Sequence, residues 1–469
     1  MLAILKGWKS ETEEFNCCPV LPGSAKYRKQ DYPSLLFMAG FVAPAILGNN
    51  SANEEVGPMK ERSPIFCGGI LFFTLLALLF SLFLSSEAWA EEKIIKFGCS
   101  ISLTGSLSRE GYGTRDGLEL WKWWVNEKLG GIDIKGVKYK VDIKYYDDES
   151  NAVRTVKLIE KLVTDDGIKL LFSPYSSGLV FAGSAASEKY KALMVNVGGT
   201  AEQIFGRGFR YIVTGTGTSP LYFKGVLDLA AKQNPKPKTV AILYANDIFS
   251  RDAVKGAVDK CKELGFEVTF NQVFPQGTKD ISTPLTEIRA LQPDILLVGG
   301  HYSDSVLAVQ QAKDLKVNAK LFSCLVGVPV PEFVKALGKD AEDVVGMGWW
   351  TPDVNYQDPI WGSGETFVKE FVKKFNYTPD YHNFDGAFGG ELFQLGIKKA
   401  QSTDPMEIRK AFDGFEVPSS LGGPIKMDKQ GVNVLAQTVV LQIQNDKAVT
   451  IWPKQVAAAQ FIYPKPPWE

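Results

Sequence analysis

Three short runs in this chain carry side chains suited to holding an anion. They are Ser102-Leu103-Thr104-Gly105-Ser106-Leu107-Ser108-Arg109-Glu110-Gly111-Tyr112-Gly113, Ser173-Pro174-Tyr175-Ser176-Ser177-Gly178 and Gly198-Gly199-Thr200-Ala201-Glu202, and each comes after a β-rich apolar run. Free backbone N–H groups at a helix start, joined by Ser and Thr O–H groups, can grip a carboxylate without any buried cation. Taken singly, each run is equally ordinary strand-to-helix punctuation. The two runs around Ser177 and Thr200 come after neighbouring strands of one lobe, and together they favour anion binding. The first run is not a phosphate loop, because the lysine of GxxxxGK[ST] is missing.

Other chemistries find less support. A Ser-His-Asp triad can be assembled from Ser177, His301 and one of many aspartates, but no Gly-x-Ser-x-Gly elbow surrounds Ser177. His301 without a nucleophile nearby reads as a hydrogen-bonding wall residue. His301 and His382 are the two histidines and the six cysteines are scattered, which leaves few ligands for a zinc site. Fifty-two Lys plus Arg against 53 Asp plus Glu give a formal charge of -1, so no positive field exists to hold a nucleic-acid backbone. No cofactor is called for.

The elements that must position these runs alternate short β-rich segments with amphipathic helical ones, the pattern of an α/β protein with parallel sheets covered on both faces. In the first series, strands are expected at 94–100, 139–146, 169–172 and 193–197, with helices at 113–127, 151–164 and 178–189. Asn151 is an N-cap candidate, with apolar residues after it at helical spacing. A second series begins after the Gly/Thr-rich crossover 214–217, with strands at 239–244, 267–271, 295–298 and 320–323 and helices at 248–264, 281–290 and 304–315. A strand at 345–349, helices at 364–375 and 384–399, and a β-rich end at 435–444 and 448–452 complete the chain. Two open sheets in tandem imply two lobes with a cleft, and ligands of such sheets bind beyond the carboxyl ends of the strands. In the second lobe those loops hold Phe249, His301 and Leu325. Trp349 and Trp350 end a strand, where one of the pair must face the core and the other can offer an aromatic plate to a ligand.

At a length of 469 residues the chain exceeds a single compact core. The apolar run 65–84 lies between Lys60 and Arg62 on one side and Ala88-Trp89-Ala90, the small-x-small pattern of a signal-peptidase site, on the other. Residues 59–90 therefore read as a signal peptide cut after Ala90, with an uncleaved anchor helix as the alternative. Either places the chain from Glu91 onward outside the cytoplasm. Residues 1–58 read as an extension ahead of a true start at Met59. Cys17, Cys18 and Cys67 fall upstream of the cut. Cys99, Cys261 and Cys324 remain, an odd count far apart that does not suggest a disulfide framework.

Across residues 92–453 the chain resembles the type I periplasmic solute-binding proteins of the branched-chain amino acid group, the extracytoplasmic receptors of ABC importers. The stretches that carry the resemblance are Ile101-Ser102-Leu103-Thr104-Gly105, Tyr145-Tyr146-Asp147-Asp148, Ser173 to Gly178, Gly299-Gly300-His301-Tyr302 and Gly422-Gly423-Pro424-Ile425-Lys426, taken in their order and spacing. The resemblance implies two Rossmann-like lobes with parallel sheets joined by a three-strand hinge. Lobe 1 would comprise 91–216 plus 349–425, and lobe 2 would comprise 217–348 plus 426–469. It implies a monomer that binds an amino acid or related carboxylate without chemistry and delivers it to a permease and ATPase complex. A ligand sensor of the same fold is the alternative.

The resemblance also assigns residues. Ser177 and Thr200 would bind the ligand carboxylate, with Gly198 offering backbone; Phe249, His301 and Tyr381 would form walls. From the residues alone, Tyr175 and Ser176 in the Ser173 to Gly178 run and Trp350 at its strand end are further candidates. The acid that neutralises a ligand ammonium in leucine-type receptors falls near Leu325, which is uncharged. Glu110, Asp304 and Asp385 are candidates to replace it, or the ligand lacks an ammonium group. The disulfide of some members is absent, since Glu149 and Ser176 stand at its positions.

Overall fold

The computed structural model describes residues 92–468. The signal segment 59–90, the extension 1–58 and the cysteines Cys17, Cys18 and Cys67 lie outside the described residues.

The first sheet contains β1 (Ile94–Ile101), β2 (Ile132–Ile134), β3 (Val137–Asp147), β4 (Leu170–Phe172), β5 (Leu193–Asn196) and β6 (Ile212–Thr214). Its order is β2-β3-β1-β4-β5-β6, with every pair parallel except the β2–β3 hairpin. The second sheet begins with β7 (Thr239–Ala245), β8 (Glu267–Phe274), β9 (Ile295–Gly299), β10 (Leu321–Cys324) and β11 (Val345–Gly348). Two small ribbons come next, β12 (Gln357–Asp358) with β13 (Gly362–Ser363) and β14 (Glu416–Val417) with β15 (Ile425–Lys426). The chain then returns to the second sheet as β16 (Val439–Gln444) and β17 (Lys447–Trp452), which pair antiparallel at its edge, giving the order β17-β16-β11-β10-β9-β7-β8.

The central strands are apolar on both faces because helices cover both. In β4, β5, β9 and β10 every residue is buried, as expected for parallel strands in a doubly covered sheet. The helices between them start where local chemistry dictates. Asn151 accepts from Arg154 N–H at 3.0 Å, Asp247 from Ser250 N–H at 2.9 Å, and Asp404 from the N–H groups of Met406 and Glu407, each satisfying a donor that the first turn leaves open.

The chain passes between the sheets three times: after β6, after β11, and between β15 and β16. After the second passage the helix Tyr381–Ala400 packs along the helix Ser108–Trp123 on the first sheet. That contact depends on two glycines. A Cβ on Gly117 would lie 1.9 Å from the Asn383 carbonyl oxygen, and one on Gly386 would lie 2.1 Å from that of Thr114. The close approach fixes which face of the long helix looks toward the cleft.

The expected elements are present with shifted ends. The first helix begins at Ser108 instead of 113, the long helix at Tyr381 instead of 384, and the strand expected from 435 begins at Val439. Unforeseen were the hairpin strand β2, the edge strand β6, the ribbon strands β12 to β15 and the short helices Glu202–Phe205, Lys224–Ala230, Pro331–Leu337 and Pro405–Ala411, all too brief to show a period. Cys99, Cys261 and Cys324 are buried as free thiols. Among the described residues no helix is long and apolar enough to cross a membrane.

Candidate functional site

The loop after β4 and the helix it opens set one end of a cavity. Ser176 precedes the helix Ser177–Lys189 with φ +95° and makes no side-chain cap, so the first-turn N–H groups are left open. Ser177 Oγ accepts from the N–H groups of Thr200 and Ala201 at 3.0 and 3.1 Å, which ties the loop after β5 to this helix start. With both acceptor directions used, the Ser177 proton is left to donate outward. Thr200 Oγ1 lies 3.0 Å from Ser219 Oγ. Behind them Asn196 Oδ1 accepts from Gly199 N–H at 2.9 Å, while its Nδ2 donates to Thr214 Oγ1 at 3.1 Å. Asn196 thereby braces the Gly198–Thr200 turn. A Cβ on Gly198 would meet Tyr175 Cα at 2.9 Å, so only glycine lets the two loops come together.

The cavity is narrow: about 510 Å³ of non-atom space lies between its lining residues when the gaps between atoms and the adjoining solvent are counted in. Tyr175, Ser177, Gly198, Thr200, Phe249, His301 and Tyr381 all line it, so seven of the residues singled out from sequence converge on one place. The first sheet's loops supply Ser177, Gly198 and Thr200, and the second sheet's loops supply Phe249, His301 and Val326. Phe249 and His301 pack at 5.5 Å between ring centres, and Tyr175 meets His301 edge-on at 6.0 Å. His301 Nε2 lies 3.9 Å from Asp247 Oδ1.

Three of the expected residues do not line the cavity. Trp350 is fully buried and stacks on Phe384 at 5.6 Å, with planes 4° apart. Trp349 is the member of the pair behind the cavity wall, edge-on to Tyr222 at 5.0 Å. Alternation puts the two tryptophans on opposite sides, but only the packing decides which side is which. Ser176 shapes the helix entry by its backbone, and Glu110 is buried behind Tyr175. The first hydroxyl-rich run, from Ser102, already has its anion. The N–H groups of Leu103 and Thr104 donate to Asp147 Oδ1 at 2.9 and 3.2 Å, and Ser102 Oγ donates to Asp148 Oδ1 at 2.6 Å.

Residues that sequence reasoning left out complete the lining, among them Asn196, Thr216, Tyr222, Phe388 and Leu392. Of the three acids offered in place of Leu325, Asp385 lines the cavity, whereas Asp304 accepts from His301 N–H at 2.9 Å. Burial, with Asp380 adding to it, pushes the Asp385 carboxyl well above its usual range. Burial likewise raises the phenols of Tyr175, Tyr222 and Tyr381, so all three stay protonated.

Behind Tyr175 runs a polar chain. Its hydroxyl lies 3.4 Å from His382 Nε2, and His382 Nδ1 lies 3.0 Å from Asp380 Oδ1. Arg109 Nη2 reaches Asp380 Oδ2 at 2.5 Å. Burial opposes ionisation of Asp380, but Arg109 and His382 outweigh it and hold the carboxyl well below the usual range.

Residues 94–448 match the family model described as periplasmic binding protein. Leu/Ile/Val-binding protein homolog 8 of Brucella abortus is 26% identical over 383 residues, covering 79% of this chain and 93% of the relative. The branched-chain amino acid transporter substrate binding protein LivJ from Streptococcus pneumoniae, solved in complex with isoleucine, superposes with a TM-score of 0.66 at 20% identity, covering 77% of this chain and all of that one. A solute binding protein of an ABC transporter from R. palustris, in complex with benzoate, superposes with a TM-score of 0.64 at 17% identity, covering 79% of this chain and 98% of that one.

Proposed function

Because the chain belongs to the periplasmic binding protein family, with the type I fold of its branched-chain amino acid group, we propose that it captures a small carboxylate-bearing solute, an amino acid or related acid, and passes it unaltered to an ABC importer. One observation carries the reading. The outward-facing Ser177 hydroxyl, Thr200 and the Gly198 backbone surround an uncapped helix start in a cavity walled by both lobes. Such a start favours negative charge through its open N–H groups and the helix dipole. Isoleucine and benzoate, the ligands of the LivJ and R. palustris structures, have a carboxylate in common.

Ligand contacts come from both lobes, so they are complete only when the lobes are together. That difference in affinity is what draws an open form closed. Binding without chemistry is supported by the surroundings of Ser177. Its Oγ is engaged by two backbone N–H groups, and among the described residues no imidazole or carboxylate bonds to it to act as a base. The segment 59–90 would direct export, so that the mature protein works in the periplasm beside its permease.

The test is the double variant Ser177→Ala with Thr200→Val, assayed by thermal shift and calorimetry against amino acids and aromatic acids. Loss of binding is expected with the fold retained, the melting point of the free protein falling only by what the lost contacts to the Thr200 and Ala201 N–H groups and to Ser219 account for. Unchanged affinity would overturn the carboxylate assignment.

A further inference from the structure

The groups suited to a carboxylate leave one part of the cavity unexplained. Asp385, on the helix Tyr381–Ala400, is 8% exposed, lines the cavity, and has an Oδ1 that is buried with no hydrogen-bond partner among the described residues. A buried carboxyl oxygen without a partner is costly, and native proteins seldom leave one without a role. None of the cavity's lining residues is Lys or Arg, and Asp385 is its one carboxylate. Arg109 is already engaged with Asp380 and Glu332.

We propose that Asp385 is the counter-charge for an ammonium group on the ligand, so that the cavity selects small zwitterions over acids that lack an amine. The inference rests on the reading that Ser177 and Thr200 hold the ligand's carboxylate. Neutral donors would then meet one end of the ligand and a lone acid the other, with Tyr222 within interaction range of both Thr200 and Asp385. An acid without an amine would bring a second negative group toward Asp385 with no cation between them, and so would bind only while Asp385 keeps its proton.

Binding of a zwitterion would therefore move a proton. In the free protein, burial and Asp380 favour the protonated form of Asp385. An arriving ammonium stabilises the carboxylate, so Asp385 gives up its proton to solvent and the ammonium keeps its own. The groups facing this event are Asp380 and Tyr381 from its own helix, Tyr175 from the loop after β4, Tyr222 after β6 and His301 from the second lobe. The phenols are held protonated by burial, and Asp380 is held ionised by Arg109 and His382. Asp385 is the carboxyl left to respond.

The test is calorimetry on the full-length chain and its Asp385→Asn variant. The ligands are the twenty common amino acids and the amine-free acids 4-methylpentanoate, 3-phenylpropanoate and benzoate, in buffers of differing ionisation enthalpy. At least one amino acid should bind, with its amine-free counterpart weaker by roughly 30-fold or more. Asp385→Asn should erase that preference and abolish proton release, while unfolding at no lower temperature than the parent. Preference for an amine-free acid, amino-acid binding unaltered by Asp385→Asn, or no binding of any amino acid would overturn the inference. The Ser177→Ala, Thr200→Val protein separates the two claims. If it loses binding while Asp385→Asn keeps it, the carboxylate reading stands and this inference falls; the reverse pattern sinks the carboxylate reading.

Discussion

Arg109 Nη2 lies 2.6 Å from Glu332 Oε2, an ion pair whose members are carried by opposite lobes. Arg109 opens the helix that packs on the first sheet, and Glu332 sits in the short helix after β10. The same guanidinium reaches Asp380, which holds His382, which meets the Tyr175 hydroxyl on the cavity wall. A second bond crosses the cleft where Glu202 N–H donates to Asp252 Oδ2 at 2.8 Å. The rim of the cleft is thus joined to its lining by continuous polar contact.

The two acids on Arg109 should behave differently. Glu332 is half-exposed, so Glu332→Gln should lower ligand affinity only a few-fold, with the difference shrinking at high salt and the melting point nearly unchanged. Asp380 is buried, and Asp380→Asn should cost about 3 kcal/mol of stability by leaving its buried surroundings unbalanced. Denaturant unfolding and calorimetry of both variants would check this; equal effects on stability would contradict the assignment.

Gly198→Ala should impair binding more than folding. Its new Cβ would press on Tyr175 Cα and, at 3.1 Å, on the Pro174 carbonyl oxygen, so the loops after β4 and β5 must separate. A loss of affinity of roughly tenfold or more, equivalent to about 1.4 kcal/mol, is expected with a melting point close to the parent's. Titration of the variant beside Ser177→Ala would show it.

Gly117→Ala places a methyl group 1.9 Å from the Asn383 carbonyl oxygen, where only backbone can yield. Overpacking of this kind costs about 1–3 kcal/mol. Because the displaced helix carries Tyr381, Asp385, Phe388 and Leu392 into the cavity, affinity should fall together with stability. A variant destabilised but binding normally would show that the helix docking does not set the site.

Glu391 is buried, and both its carboxyl oxygens lack partners among the described residues. Burial, reinforced by Asp358, pushes its carboxyl well above the usual range. The native state therefore keeps a proton that the unfolded chain releases near pH 4.5. Its contribution to stability is full below that pH and is lost as pH rises toward the folded-state value. Glu391→Gln should accordingly raise the melting point, and by more at pH 8 than at pH 5. A difference that does not vary with pH would refute this.

Much of the architecture was legible from local rules. Alternating strands and helices, turn chemistry and caps such as Asn151 and Asp247 act over a few residues, and they placed Ser177, Gly198, Thr200, Phe249 and His301 in loops after successive strands. Those loops converge because parallel strands present their carboxyl ends on one side. Element ends drifted because caps and close packing, not periodicity, terminate them.

What the sequence by itself determined was the set of strand-end loops and the hydroxyl chemistry they hold, because that chemistry is written in consecutive residues. Only the tertiary structure decided which long-range partners complete the site. Asp385 stood in sequence as one of three possible acids, and its place on the cavity wall came from the rotation of a helix locked by Gly117 and Gly386. Asp147 filled the first hydroxyl-rich loop from a strand some forty residues away, a pairing set by the β1–β3 register. Which side each of Trp349 and Trp350 faces was decided by packing against Tyr222 and Phe384. In each case the deciding contact joins residues far apart in the chain, and no local pattern records the direction in which a side chain will finally point.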